Sequence, residues 1–100
     1  MKASNTNDLL DIQHRLRTIE RSAVTANKGL DVLACRLHAH LQANVPNGDT
    51  EAAEYDWDTY TLREAIADVE ASMQLLDDVS GRLRWAYSRA RAVSLTWEDA

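Results

Sequence analysis

The stretch that decides the fold is residues 9–37, LLDIQHRLRTIERSAVTANKGLDVLACRL. Its apolar residues recur at alternating intervals of three and four, which is the period of a helix face that packs against another helix. This row is Leu9, Ile12, Leu16, Ile19, Ala23, Ala26, Leu30, Leu33 and Leu37, and His40 continues it. The pattern predicts an amphipathic helix at about residues 8–43, which ends before the turn residues Pro46-Asn47-Gly48.

Asn27-Lys28-Gly29 is the weak point of this helix. An interior glycine costs about 1 kcal/mol relative to alanine. The apolar row nevertheless passes from Ala26 to Leu30 without a change of phase, whereas a turn usually resets the phase. We therefore expect one continuous helix.

A second helix is predicted at about residues 61–94, after an acidic and aromatic connector at 44–60. It opens with Thr61-Leu62-Arg63-Glu64, the pattern of a capping box in which Thr61 and Glu64 satisfy each other's backbone amides. Its apolar positions are Leu62, Ala65, Ile66, Val69, Met73, Leu76, Val79, Leu83, Ala86, Tyr87, Ala90 and Val93.

Two helices of similar length and one connector predict an all-α fold, an antiparallel helical hairpin in a single domain of residues 1–100. A fold-back about residues 51–52 would place Ile19 beside Leu83. Because two helices form only one interface, we expect a homodimer that builds a four-helix assembly. The residues assigned to the core or dimer seam are Ile12, Leu16, Ile19, Leu30, Leu33, Leu37, Met73, Leu76 and Leu83.

Composition places the chain in the cytoplasm. The single cysteine, Cys35, cannot form an intrachain disulfide, which favours a reducing compartment. The first seven residues are polar and lack the apolar core of a signal peptide. No apolar run approaches the roughly 20 residues of a membrane helix, so we expect no membrane association.

The charges are segregated along the chain, and the net charge is −5. Residues 44–78 contain ten acidic residues and Arg63 as the only basic one, whereas residues 79–100 carry four arginines. Nucleic-acid binding needs a dominant basic face, so this balance argues against direct binding of DNA or RNA.

Two segments are candidate binding surfaces. The first is the connector, where Tyr55, Asp56, Trp57 and Asp58 alternate aromatic and acidic side chains. Aromatic residues are enriched at binding hot spots, and carboxylates select a basic partner. The alternative is that Trp57 and Tyr60 fold back and close the end of the bundle.

The second candidate surface is built from Arg82, Trp85 and Arg89. Trp85 lies off the apolar positions of its helix, with an arginine at helical spacing on either side. An exposed tryptophan among arginines suits a protein interface. The alternative is that a second copy of the chain covers Trp85.

Neither metal binding nor catalysis is predicted. Cys35 and His38 share a helix face but His40 does not, and two ligands do not make a metal site. The chain has no phosphate-binding glycine loop, nucleophile elbow or metalloprotease motif. We expect no cofactor and no enzymatic activity.

Two families are similar in size, and neither similarity assigns the chain. The long first helix resembles that of the helical chorismate mutases, which bind a dianionic substrate with buried Arg and Lys, but Lys2 and Lys28 are the only lysines here. A helical hairpin of this length is also similar to the secreted WXG100 proteins, whose Trp-x-Gly turn is replaced by Trp57-Asp58-Thr59.

The function expected from these patterns is that of a non-enzymatic regulatory protein that binds and inhibits a larger protein. Examples are an anti-activator of a transcription regulator, or a phage-type inhibitor whose carboxylates imitate DNA phosphates. The alternatives are a small enzyme of the chorismate-mutase type and a secreted WXG100-like hairpin.

Overall fold

A computed structural model describes residues 6–43 and 56–98 of the chain. Helix α1 spans Thr6–Ala43 and helix α2 spans Trp57–Glu98. The described residues contain no strand, and the predicted all-α hairpin of two antiparallel helices is confirmed. Neither described helix contains an apolar stretch long enough to cross a membrane.

Helix α1 continues through Asn27-Lys28-Gly29 without interruption. A Cβ atom at Gly29 would have no neighbour within 4 Å outside its own turn of the helix, so no close packing requires the glycine. The amphipathic period on both sides of the glycine is therefore enough to keep this segment helical.

Helix α2 begins at Trp57, four residues earlier than the predicted start at Thr61. Asp56 caps it: the Asp56 carboxylate oxygen Oδ2 accepts the Thr59 backbone amide at 3.1 Å and the Thr59 hydroxyl at 3.1 Å. An acceptor three residues before a free amide is the usual N-cap arrangement. The predicted capping box at Thr61–Glu64 is wrong, because these residues already lie inside the helix.

The contacts divide the chain into two compact units. The first unit contains the described residues up to Thr25 together with those from Leu76 onward, and the second unit is Ala26–Leu75. Each unit consists of a segment of α1 and a segment of α2.

Contacts in the first unit show how its two helix segments pair. Gln13 Nε2 donates to Ser94 Oγ at 3.0 Å, and this hydrogen bond is buried. Further along α1, Arg84 Nε donates to Glu20 Oε1 at 3.4 Å. Partners on α2 come earlier in sequence as α1 proceeds, so the segments are antiparallel. The Glu20–Arg84 contact lies within two residues of the predicted register, whereas the Gln13–Ser94 contact differs from that register by four or five residues.

The seam of α1, meaning its residues that are not exposed, follows a strict heptad spacing. These residues are Thr6, Leu9, Gln13, Leu16, Glu20, Ala23, Asn27, Leu30, Ala34, Leu37 and Leu41. Half of the predicted row lies on this seam, including Leu16, Leu30 and Leu37. The other half, including Ile12, Ile19 and Leu33, is exposed. Four of the exposed members immediately precede a seam residue that is polar or alanine, and the fifth, His40, precedes Leu41.

The seam of α2 has the same spacing. Its regularly spaced members are Thr59, Leu62, Ile66, Val69, Met73, Leu76, Ser80, Leu83, Tyr87, Ala90, Ser94 and Trp97; Ala65 and Gly81, which are also not exposed, fall outside the spacing. The predicted seam residues Met73, Leu76 and Leu83 belong to it, all of them half-buried. Val79 and Val93, which were predicted apolar positions, are exposed.

The buried core of the described segments is small. Its apolar members are Ala23, Ala34 and Ile66, and its polar members are Gln13, Thr59, Ser80 and Ser94. Leucines of the seam are only half-buried. Apart from Ile66, the best-buried positions therefore hold small or polar side chains, while most of the large apolar side chains keep solvent contact.

Candidate protein-binding surfaces

The first turn of α2 presents two aromatic rings to solvent. Trp57 is 73% exposed and Tyr60 is 59% exposed. A separation of three residues places side chains on the same side of a helix, so the two rings are neighbours there. The alternative in which they fold back to close the bundle is not observed. We call Trp57, Asp58, Tyr60 and Glu64 the acidic aromatic surface.

The carboxylates of this segment have different roles. Asp56 uses Oδ2 to hold Thr59, a buried residue of the seam, so Asp56 stabilises the helix start. Asp58 and Glu64 are exposed and leave negative charge beside the rings. Tyr55, which was predicted to take part, lies outside the described residues.

Tyr60 is the residue that sequence reasoning left out of the predicted binding set. It was assigned to the connector because the helix was expected to begin at Thr61. A start at Trp57 places Tyr60 one turn after that ring. Asp56 followed three residues later by Thr59 was the capping signal that could have revealed this start.

In the first unit, Trp85 is 67% exposed and lies outside the α2 seam. The guanidinium carbon of Arg89 is 5.8 Å from the centre of the indole ring, a cation–π distance. A hollow of about 300 Å³ beside the ring is lined by Gly81, Arg84, Trp85 and Ser88. The predicted Trp85–Arg89 neighbourhood is therefore present, and Gly81 leaves bare backbone in the hollow. Arg82 is exposed.

Several arginines of the first unit already have partners in the chain. Arg17 lies over the ring of Tyr87 at 4.8 Å and donates to its hydroxyl at 3.3 Å. Arg84 contacts Glu20, whose side chain is only 17% exposed. These arginines help to hold α1 and α2 together, so the free basic surface near Trp85 is smaller than the sequence indicates.

A buried, arginine-lined pocket was the feature expected of a chorismate-mutase-type enzyme. All nine arginines lie in the described segments and all are exposed. The seam is not a solid apolar layer either, because Gln13, Glu20 and Asn27 belong to it.

Cys35, His38 and His40 are all exposed. His38 Nε2 lies 3.6 Å from Glu70 Oε1, a contact that links the helix segments of the second unit. Within residues 6–43 and 56–98, no group of three or more His, Cys, Asp or Glu side chains is arranged to hold a metal ion.

Comparison of the chain with protein-family models, with curated proteins and with solved structures found no match.

Proposed function

We propose that this chain is a non-enzymatic regulatory protein that binds a larger protein and inhibits it. The observation that carries the proposal is the exposed pair Trp57 and Tyr60 at the acidic start of α2. Large aromatic rings bury much apolar area with few rotatable bonds, so solvent exposure of two neighbours favours a role in binding.

The partner surface should be basic around an apolar pocket. Asp58 and Glu64 are exposed near the rings, and the net charge is −5. Such charges speed the encounter with a basic surface and disfavour acidic ones. A transcription regulator whose DNA-binding face is basic fits this chemistry, either as the target of an anti-activator or as the target of a phage-type inhibitor.

Trp85 and Arg89 form a second surface that contacts the same partner. If the acidic aromatic surface fails the test below, Trp85 and Arg89 are the main binding surface instead.

The lone exposed thiol of Cys35 is consistent with a reducing compartment, and we place the protein in the cytoplasm.

The test is site-specific photo-cross-linking in lysate of the native host. A benzophenone amino acid replaces Trp57, Trp85 or, as a control, Val32, an exposed apolar residue outside the seam. We expect one protein to be captured from position 57 and not from position 32. The captured protein, once purified, should lose DNA binding when the wild-type chain is added.

Substitution then assigns the contact. Trp57→Ala should weaken binding to the captured protein by roughly 30-fold or more, as for a hot-spot tryptophan, and Val32→Ala should leave it unchanged. Capture from position 85 alone would move the binding surface to Trp85. The proposal fails if no protein is captured preferentially over position 32, or if the captured protein keeps its activity.

A further inference from the structure

The first unit has two flanks beside its seam, and they differ in chemistry. On one flank, Arg17 reaches Tyr87 and Arg84 reaches Glu20. Both arginines immediately follow a seam leucine, Leu16 or Leu83. Residues in this position on both helices therefore lie on one side, and the two arginine contacts bridge the helices there.

The other side holds the residues that immediately precede the polar seam residues and Tyr87. Those seam residues are Gln13, Glu20, Ser80, Tyr87 and Ser94. We call the residues that precede them the open flank: Ile12 and Ile19 of α1, with Val79, Ala86 and Val93 of α2. All five are uncharged and exposed. Helical geometry places the half-buried leucines of the seam, Leu16 and Leu83 among them, next to this row. Together they form one apolar face that no described residue of the chain covers.

We propose that the open flank binds a second copy of this chain, giving a two-fold dimer with a four-helix core. The small core of the hairpin supports a second copy as the occupant. Since the buried apolar residues of the described segments are Ala23, Ala34 and Ile66, the hairpin needs further apolar burial in order to stay folded. A second copy is the one partner that is present wherever the chain is made.

The surface area supports the same occupant. The chain exposes 7557 Å², whereas a compact monomer of 11.2 kDa exposes about 5,700 Å². The excess is greater than the roughly 800 Å² that each partner buries in a standard interface. The chain therefore exposes enough area for a standard dimer interface.

The sizes of the side chains indicate how two copies meet. The open flank carries the larger Ile12 and Ile19 on α1 and the smaller Val79, Ala86 and Val93 on α2. If α1 of one copy contacts α2 of the other, the large residues of α1 pack against the small residues of α2. A two-fold axis repeats this contact, so it occurs twice in the dimer. Contact of α1 with α1 would leave the α2 pair underfilled.

The test is sedimentation equilibrium of wild type, Ile19→Asp and Val32→Asp at chain concentrations of about 1 to 100 µM. Ile19 is 54% exposed and Val32 is 59% exposed, so the two variants change exposed apolar residues of α1 by the same charge. We expect wild type and Val32→Asp to be dimers. Ile19→Asp should raise the dimer dissociation constant by roughly 100-fold or more, because a two-fold interface buries the new charge twice.

A monomeric wild type at 100 µM would overturn the proposal. So would an Ile19→Asp variant that dimerises as tightly as Val32→Asp. Circular dichroism of each variant separates dissociation from unfolding: if Ile19→Asp loses its helicity at low concentration and regains it on concentration, folding itself requires the second copy. Two results together would also count against the open flank as the dimer interface. In the first, Ile19→Asp has lost helicity to the same extent at every concentration. In the second, Ile19→Ala remains a dimer of wild-type affinity.

Discussion

Polar side chains occupy some of the best-buried positions of this protein. Gln13 and Ser94 lie in the seam and bond to each other, and Ser94 Oγ also donates to the Arg91 carbonyl oxygen at 2.8 Å. Asn27 is also in the seam, and its Oδ1 is buried without a hydrogen-bond partner among the described residues. Buried polar groups favour one arrangement over others at a cost in stability, because misaligned helices leave them unpaired.

The Gln13–Ser94 bond should be measurable by a double-mutant cycle. We expect Gln13→Ala and Ser94→Ala to be coupled by about 1 kcal/mol in the free energy of unfolding, as for a buried neutral hydrogen bond. Urea denaturation at one fixed chain concentration gives the four values. Ser22→Ala, which removes an exposed hydroxyl bonded within its own helix, is the control and should show no coupling to Ser94→Ala. Additive effects of Gln13→Ala and Ser94→Ala would mean that the bond does not contribute.

Helix α2 depends at its start on a residue that was first assigned to the connector. Asp56 holds both the amide and the hydroxyl of Thr59, and this start turns Trp57 and Tyr60 outward. The capping interaction thus stabilises the start of the helix. It also positions the two rings of the proposed binding surface.

Asp56→Ala should lower the free energy of unfolding by about 1 kcal/mol, the usual effect of losing an N-cap. Thr61→Ala should have little effect, because Thr61 is exposed within the helix and does not begin it. Thermal unfolding of the two variants beside wild type compares them directly. If Thr61→Ala were the more destabilising, the helix would begin at the capping box that the sequence indicates.

The sequence predicts the helices well because apolar periodicity depends on neighbours along one chain. It does not predict which of two adjacent rows faces the other helix. Ile12 and Gln13 differ by one position, and the more apolar residue is the natural choice, yet Gln13 is buried because Ser94 stands across the seam. That partner is 81 residues away and is visible only in three dimensions. The predicted partner-binding residues omit Tyr60 for a similar reason. Tyr60 becomes a neighbour of Trp57 on the helix only if Asp56 is recognised as the cap.

At the scale of the whole molecule, the open flank and the exposed aromatic surfaces differ in charge. The open flank is uncharged and apolar, as suits a permanent contact between copies. Trp57, Tyr60 and Trp85 are exposed among charged side chains, as suits a partner that binds and leaves. Trp85 lies in the same unit as the open flank but does not belong to it, so a dimer built on that flank leaves this ring free for another protein.

The central claim is that the hairpin completes its core with a second copy, and the concentration dependence of thermal unfolding tests it most directly. For a dimer of 100-residue chains, a hundredfold increase in chain concentration should raise the melting temperature by about 6 °C, because unfolding releases two chains. Circular dichroism at about 5 and 500 µM gives both values. A melting temperature that stays the same at both concentrations, with full helicity at each, would contradict the account.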